Sequence, residues 1–121
     1  MILLVEDNVR SRHTLAEILV RRGYEVIQAS DGEHAITTLA EGHPITLVIT
    51  DLAMPKITGF GVLTHVHQRW PKLPVILTTG YLSPQVADSI LNDNVKFLSK
   101  PIDFNELFTT IEGFTASQCL A

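Results

Sequence analysis

The chain is 121 residues long, 45% hydrophobic and 18% charged, and its 9 basic against 13 acidic side chains leave a net charge of −4. That length suits one domain with a single substantial core. The acidic balance excludes the basic face of a nucleic-acid binder, no run of Lys and Arg offers a polybasic membrane anchor, and no apolar stretch approaches the roughly 18 residues of a membrane-spanning helix.

The first apolar run covers residues 2–5 and stops at the acidic pair Glu6-Asp7. A run that ends so early on two acids lacks the regions of a signal peptide, and the single cysteine, Cys119, fits a reducing compartment, so a cytoplasmic location is expected. The run also has no short polar lead, which fits a domain cut from a longer protein. Leu15, Ile18 and Leu19 then recur at helical spacing, with Gly23 as a stop. A second run covers 25–29, and Ser30-Asp31 offers an N-cap to a helix faced by Ala35, Ile36, Leu39 and Ala40. The third run, 47–50, ends on Asp51, and Phe60, Leu63 and Val66 stripe the helix after it. The fourth, 75–78, leads into Thr79-Gly80. Ser83-Pro84 then pairs a capping serine with a proline at the first position of a fourth helix, which carries Val86, Ala87, Ile90 and Leu91. The fifth run, 96–99, ends on Lys100-Pro101. A fifth helix bearing Phe104, Leu107, Phe108 and Ile111 is expected to fray near Gly113. Residues 115–121 have no strong pattern, so the domain is expected over 1–114, with a tail or the start of a linker beyond.

Short apolar runs alternating with longer amphipathic stretches describe an α/β fold, a parallel sheet with helices on its faces. Five such units fit a doubly wound, flavodoxin-like single domain with five strands in the order 2-1-3-4-5 and five helices. Its ligands would bind beyond the carboxyl ends of the strands, where the order reverses between the first and third. Glu6, Asp7 and Asp51 leave their strands at that edge, and Thr79 and Lys100 leave theirs beside it. Three carboxylates gathered there would repel by roughly 4 kcal/mol per pair at 4 Å and an effective dielectric of 20, so a cation is required.

Val5-Glu6-Asp7-Asn8, Asp51-Leu52-Ala53-Met54-Pro55 with Gly59, Thr79-Gly80 and Lys100-Pro101, in that order and each at the end of its own strand, resemble the response-regulator receiver (CheY-like) domains of two-component phosphorelay systems. The resemblance covers nearly the whole chain. Asp51, alone at the tip of its strand, suits a nucleophile that forms an acyl phosphate. Asp7 and Asp51 offer hard oxygens to a small cation, with Glu6 placed to hold one of its waters. Mg²⁺ suits such a set, with Mn²⁺ able to substitute. The resemblance adds the main-chain carbonyl of Ala53 as a ligand, and has Lys100 pair with Asp51 and then with the phosphoryl group. It has Thr79 donate its hydroxyl to that group, Phe97 turn inward as the partner in the switch, and the bond from Lys100 to Pro101 adopt the cis form. It makes the chain a phosphoacceptor rather than an enzyme acting on external substrates. A sensor histidine kinase or histidine phosphotransfer protein would be the donor, and an output partner or effector domain would meet the face of the fourth helix, fifth strand and fifth helix. A phosphorylation-dependent homodimer through that region is open, as is whether the chain stands alone or belongs to a larger regulator or hybrid histidine kinase. Ala53 and Tyr81 occupy the two positions that tune hydrolysis in the family, and neither orients a water as an amide or acid would.

Other classes fit less well. An aspartate-based phosphatase of the haloacid-dehalogenase kind needs a second aspartate two residues after the nucleophile, where Ala53 stands. A flavin carrier on this fold needs a Ser/Thr/Gly-rich phosphate loop after the first strand, where the acids stand. A degenerate receiver acting by binding alone would lack part of the set. His13, His34, His43, His65 and His67 are scattered and expected at the surface, Trp70 is expected as a lid on the core, and Cys119 has no nearby base.

Overall fold

A computed structural model describes residues 1–54, 57–80 and 94–120, with side chains through Phe114. In chain order the elements are β1 (Ile2–Val5), α1 (Val9–Arg21), β2 (Val26–Ala29), α2 (Gly32–Ala40), β3 (Leu47–Asp51), α3 (Gly59–Arg69), β4 (Val75–Thr79), β5 (Val95–Ser99) and α4 (Phe104–Leu120). The strands form one parallel sheet in the order β2-β1-β3-β4-β5. The expected order is thus observed, with the reversal between β1 and β3. The expected helix after Ser83-Pro84 lies outside the described residues, as does Tyr81.

The sheet is buried on both faces, which is why β1, β3 and β4 read as nearly unbroken aliphatic runs. Alternation along each strand divides the core in two. Ile2, Leu4, Ile49 and Ile76 meet Leu15 and Leu19 of α1 and Leu107, Phe108 and Ile111 of α4. Leu3, Val5, Val48 and Leu77 meet Ala35 and Leu39 of α2 and Val62 and Val66 of α3. Side-chain oxygens start the helices: Asn8 accepts from the Ser11 amide, Asp31 from His34 and Asp103 from Asn105, at 2.7–2.9 Å. Gly23, at φ 94°, lets the chain turn back after α1.

Beyond one-residue shifts at the starts of β2 and β5, three features differ from the sequence-based expectation. β3 and β4 run one residue further, because the ladder continues through Asp51 opposite Thr78 and Thr79 opposite Ser99. α4 does not fray at Gly113 but continues to Leu120. One glycine costs a helix only about 1 kcal/mol relative to alanine, and the buried Phe114 beside it holds that turn on the core. His65 and His67 are half-buried on α3 rather than at the surface, and both Nε2 atoms are buried with no hydrogen-bond partner among the described residues. The ring of His65 lies 6.2 Å from that of Trp70, which packs against the core as expected of a lid.

Candidate functional site

The carboxyl ends of β1, β3, β4 and β5 converge at one edge of the sheet. Glu6 follows β1 directly, and its amide still donates to the Ala29 carbonyl at 3.2 Å. Its carboxylate turns back to accept the Asn8 amide at 3.1 Å. Asp51 is the last residue of β3, in the middle of the sheet, and only 6% exposed. One of its oxygens accepts from Lys100 Nζ at 2.8 Å and the other from the Ala53 amide at 3.2 Å. Lys100 Nζ also reaches Glu6 Oε2 at 3.3 Å, so one ammonium bridges carboxylates 94 and 49 residues away in sequence.

Lys100 is itself held by the sheet edge. Its amide donates to the Thr79 carbonyl at 2.7 Å, and the bond to Pro101 is cis. Thr79 is buried and touches the group through that main-chain contact. Phe97 is half-buried and pairs with Leu77, while Thr79 pairs with Ser99, so Thr79 and Phe97 share a face of the sheet as diagonal neighbours. Ala53 is exposed, just beyond the strand tip.

Asp7 completes the set. Carboxylate oxygens of Glu6, Asp7 and Asp51 all lie within 4.8 Å of one another, so the three could hold a metal ion. Among the described residues one ammonium stands within salt-bridge distance of them, and one positive charge against three negative ones leaves two uncompensated. The electrostatics carry that imbalance. Burial raises the Glu6 carboxyl above its usual 4.5 and the charge of Asp51 adds to the shift, against the opposing Asn8 amide and Lys100. Burial works against the Lys100 ammonium, but the hydrogen bond it donates to Asp51 and the attraction of both acids prevail and raise its pKa. A donor set made only of hard oxygens, short by two charges, matches a small divalent cation.

A family model for the response regulator receiver domain matches residues 2–112. The chain belongs to the response regulator receiver domains. Accepting a phosphoryl group on an aspartate, in two-component signalling, is the function of that family. This receiver is 31% identical over 118 residues to the response regulator protein FleR of Pseudomonas aeruginosa, covering 97% of the chain and 25% of FleR. It is 30% identical over 119 residues to the sensor kinase CckA of Brucella abortus, covering 97% of the chain and 13% of the kinase. The receiver thus spans less than half the length of the curated relatives it matches. Among solved structures, the receiver domain from the hybrid histidine kinase CckA superposes with a TM-score of 0.79 at 35% identity, covering 93% of this chain and 96% of that one. A receiver domain protein from Clostridium thermocellum superposes with a TM-score of 0.91 at 26% identity, covering 98% and 96%.

Two residues outside the sequence-predicted set also lie at the receiver's candidate site. Thr78 pairs with Asp51 in the last rung and lines a cleft of about 370 Å³ beside Glu6 and Lys100. Arg12, on the first turns of α1, donates to the Glu6 carbonyl. An arginine on an amphipathic helix reads as a solvated charge, and only the fold shows what it reaches.

Proposed function

We propose that Asp51 is the phosphoacceptor of this receiver, with Lys100 and Thr79 as the groups that receive the incoming phosphoryl oxygens. The observation that carries this reading is the buried Asp51 carboxylate, clamped between Lys100 Nζ and the Ala53 amide in a cluster short of two positive charges. An Asp51 oxygen attacks the phosphorus of a phosphohistidine. A P–O bond forms, the P–N bond breaks, and the electron pair leaves on the imidazole nitrogen, which takes up a proton. Glu6, Asp7, Asp51 and the Ala53 carbonyl would hold Mg²⁺, or Mn²⁺ in its place. When bound, the ion supplies charge neutralisation at the phosphoryl oxygens. Lys100 shifts from Asp51 toward the new phosphate, a charge-assisted contact of the stronger kind.

The consequence is a switch. The phosphoryl group adds roughly 1.5 to 2 negative charges and three acceptor oxygens. Thr79 is drawn toward it, Phe97 on the same face follows, and the surface next to β5 changes its preference for an output partner or a second copy. The donor is a sensor histidine kinase or a histidine phosphotransfer protein. Residues 1–114 act as the receiver, located in the cytoplasm, and 115–121, which α4 enters as far as Leu120, serve as a C-terminal tail or the start of a linker. No helix among the described residues is long and apolar enough to cross a membrane.

Incubation with acetyl phosphate and Mg²⁺ is expected to add one phosphoryl mass to the wild type and none to Asp51→Asn. Addition that survives the substitution would overturn the assignment. Ala53 and Tyr81 are the positions that set the lifetime of the phosphoaspartate, because neither presents an amide or acid to the hydrolytic water. Ala53→Asn is expected to shorten the half-life of purified phosphoprotein severalfold, on the scale of positioned-water effects. An unchanged half-life would count against that role.

A further inference from the structure

Asp7 is the exposed member of the acidic cluster, yet its carboxylate reaches within 4.8 Å of two buried ones. Both peptide units that flank it are held. The unit after it ends in the Asn8 amide, which donates to Glu6 Oε1 at 3.1 Å. The unit before it begins with the Glu6 carbonyl, which accepts from Arg12 Nη1 at 3.0 Å. β1 ends at Val5, so this carbonyl lies beyond the strand, and Arg12 supplies the partner that the strand does not. Arg12 is anchored in turn: its Nε donates to Gln28 Oε1 on β2 at 3.3 Å, and its amide donates to the Asn8 carbonyl at 2.9 Å. The contacts close a ring through Glu6, Arg12 and Asn8, with Asp7 inside it.

We propose that Arg12 is a positioning residue for the cation site, fixing the Glu6–Asp7 peptide unit and so the aim of the Asp7 carboxylate. The inference rests on the reading that Glu6, Asp7 and Asp51 hold Mg²⁺, and it adds that the site is tuned from behind by a cation that touches no ligand oxygen of the ion. Partners one shell out from a metal typically change its affinity by about 10- to 100-fold when removed. Charge alone works the other way. Deleting a guanidinium near three carboxylates would strengthen binding of a cation, so the sign of the effect separates the two roles.

Mg²⁺ titrations by calorimetry on the full chain test this. Arg12→Ala is expected to weaken binding by about tenfold. Arg12→Lys, with a donor for the Glu6 carbonyl and none left for Gln28, is expected to recover part of the loss. Gln28→Ala is expected to weaken binding less than Arg12→Ala, and to add nothing in its presence, because Gln28 acts only through Arg12. Unchanged or tighter binding in Arg12→Ala overturns the proposal, as does Arg12→Lys binding no better than Arg12→Ala. Should Arg12→Ala lose its native circular dichroism, the exposed Gln28→Ala decides alone, and an unchanged affinity there overturns it. A wild type that takes up no Mg²⁺ overturns the underlying metal reading as well, an outcome distinct from an effect confined to the variants.

Discussion

Glu6 is pushed by burial and by Asp51 toward its neutral form, while the Asn8 amide and Lys100 favour the carboxylate; the net shift is upward from 4.5. The metal-free folded chain therefore keeps this proton to higher pH than the unfolded chain does, and stability falls as pH rises from 4.5 through the raised value. Lys100 has its pKa raised too, so its contribution is complete below its usual 10.5 and is lost only as pH rises through the raised value at the alkaline end. The amide of Gln at position 6 would keep an acceptor for Asn8 without the charge. With chelator present, the melting temperature of Glu6→Gln relative to wild type is expected to climb as pH rises through that window and then level off. A difference that stays flat with pH, or shrinks, would contradict the account of Glu6.

The closest packing at the site is between elements. The Gly59 amide opens α3 by donating to the Leu52 carbonyl at 3.0 Å, and a Cβ there would lie 2.6 Å from the Asp51 carbonyl oxygen and 2.8 Å from Leu52 Cα. Both neighbours are backbone and cannot yield without moving the tip of β3. Gly59→Ala is expected to cost about 1–3 kcal/mol in urea unfolding and to slow phosphorylation by acetyl phosphate. Gly113→Ala, a helical position whose Cβ would meet nothing within 4 Å among the described residues, is expected to gain about 0.5–1 kcal/mol in the same assay. Equal stabilities for the two variants would contradict this contrast. The elements themselves were legible because aliphatic runs and capping residues such as Asp31 and Gly23 act within a few residues. Their ends were less so. Asp51 and Thr79 look like loop residues by composition and are strand residues only because neighbouring strands reach them, and Gly113 is carried by the burial of Phe114 next to it.

At the scale of the molecule, the acidic cluster lies at the sheet edge where the two half-cores meet, so an ion bound there stabilises the whole cooperative unit. Mg²⁺ at a hundredfold excess over its Kd is expected to add about 2.7 kcal/mol, read as a rise in melting temperature that is absent in Asp7→Asn. No rise in the wild type would contradict a site built from these three acids. The motif residues at the strand tips were legible because one sheet order brings them to one edge. The contacts of Arg12 and Gln28 were not, because they join α1 to β2 across the turn rather than along the chain. The bridge from Lys100 back to Glu6 has a consequence for synthesis. A nascent chain on the ribosome carries its acidic residues from the start but lacks the lysine until position 100 has emerged. The lysine contacts to Glu6 and Asp51 therefore form only once β5 has emerged, and products truncated before position 100 lack them.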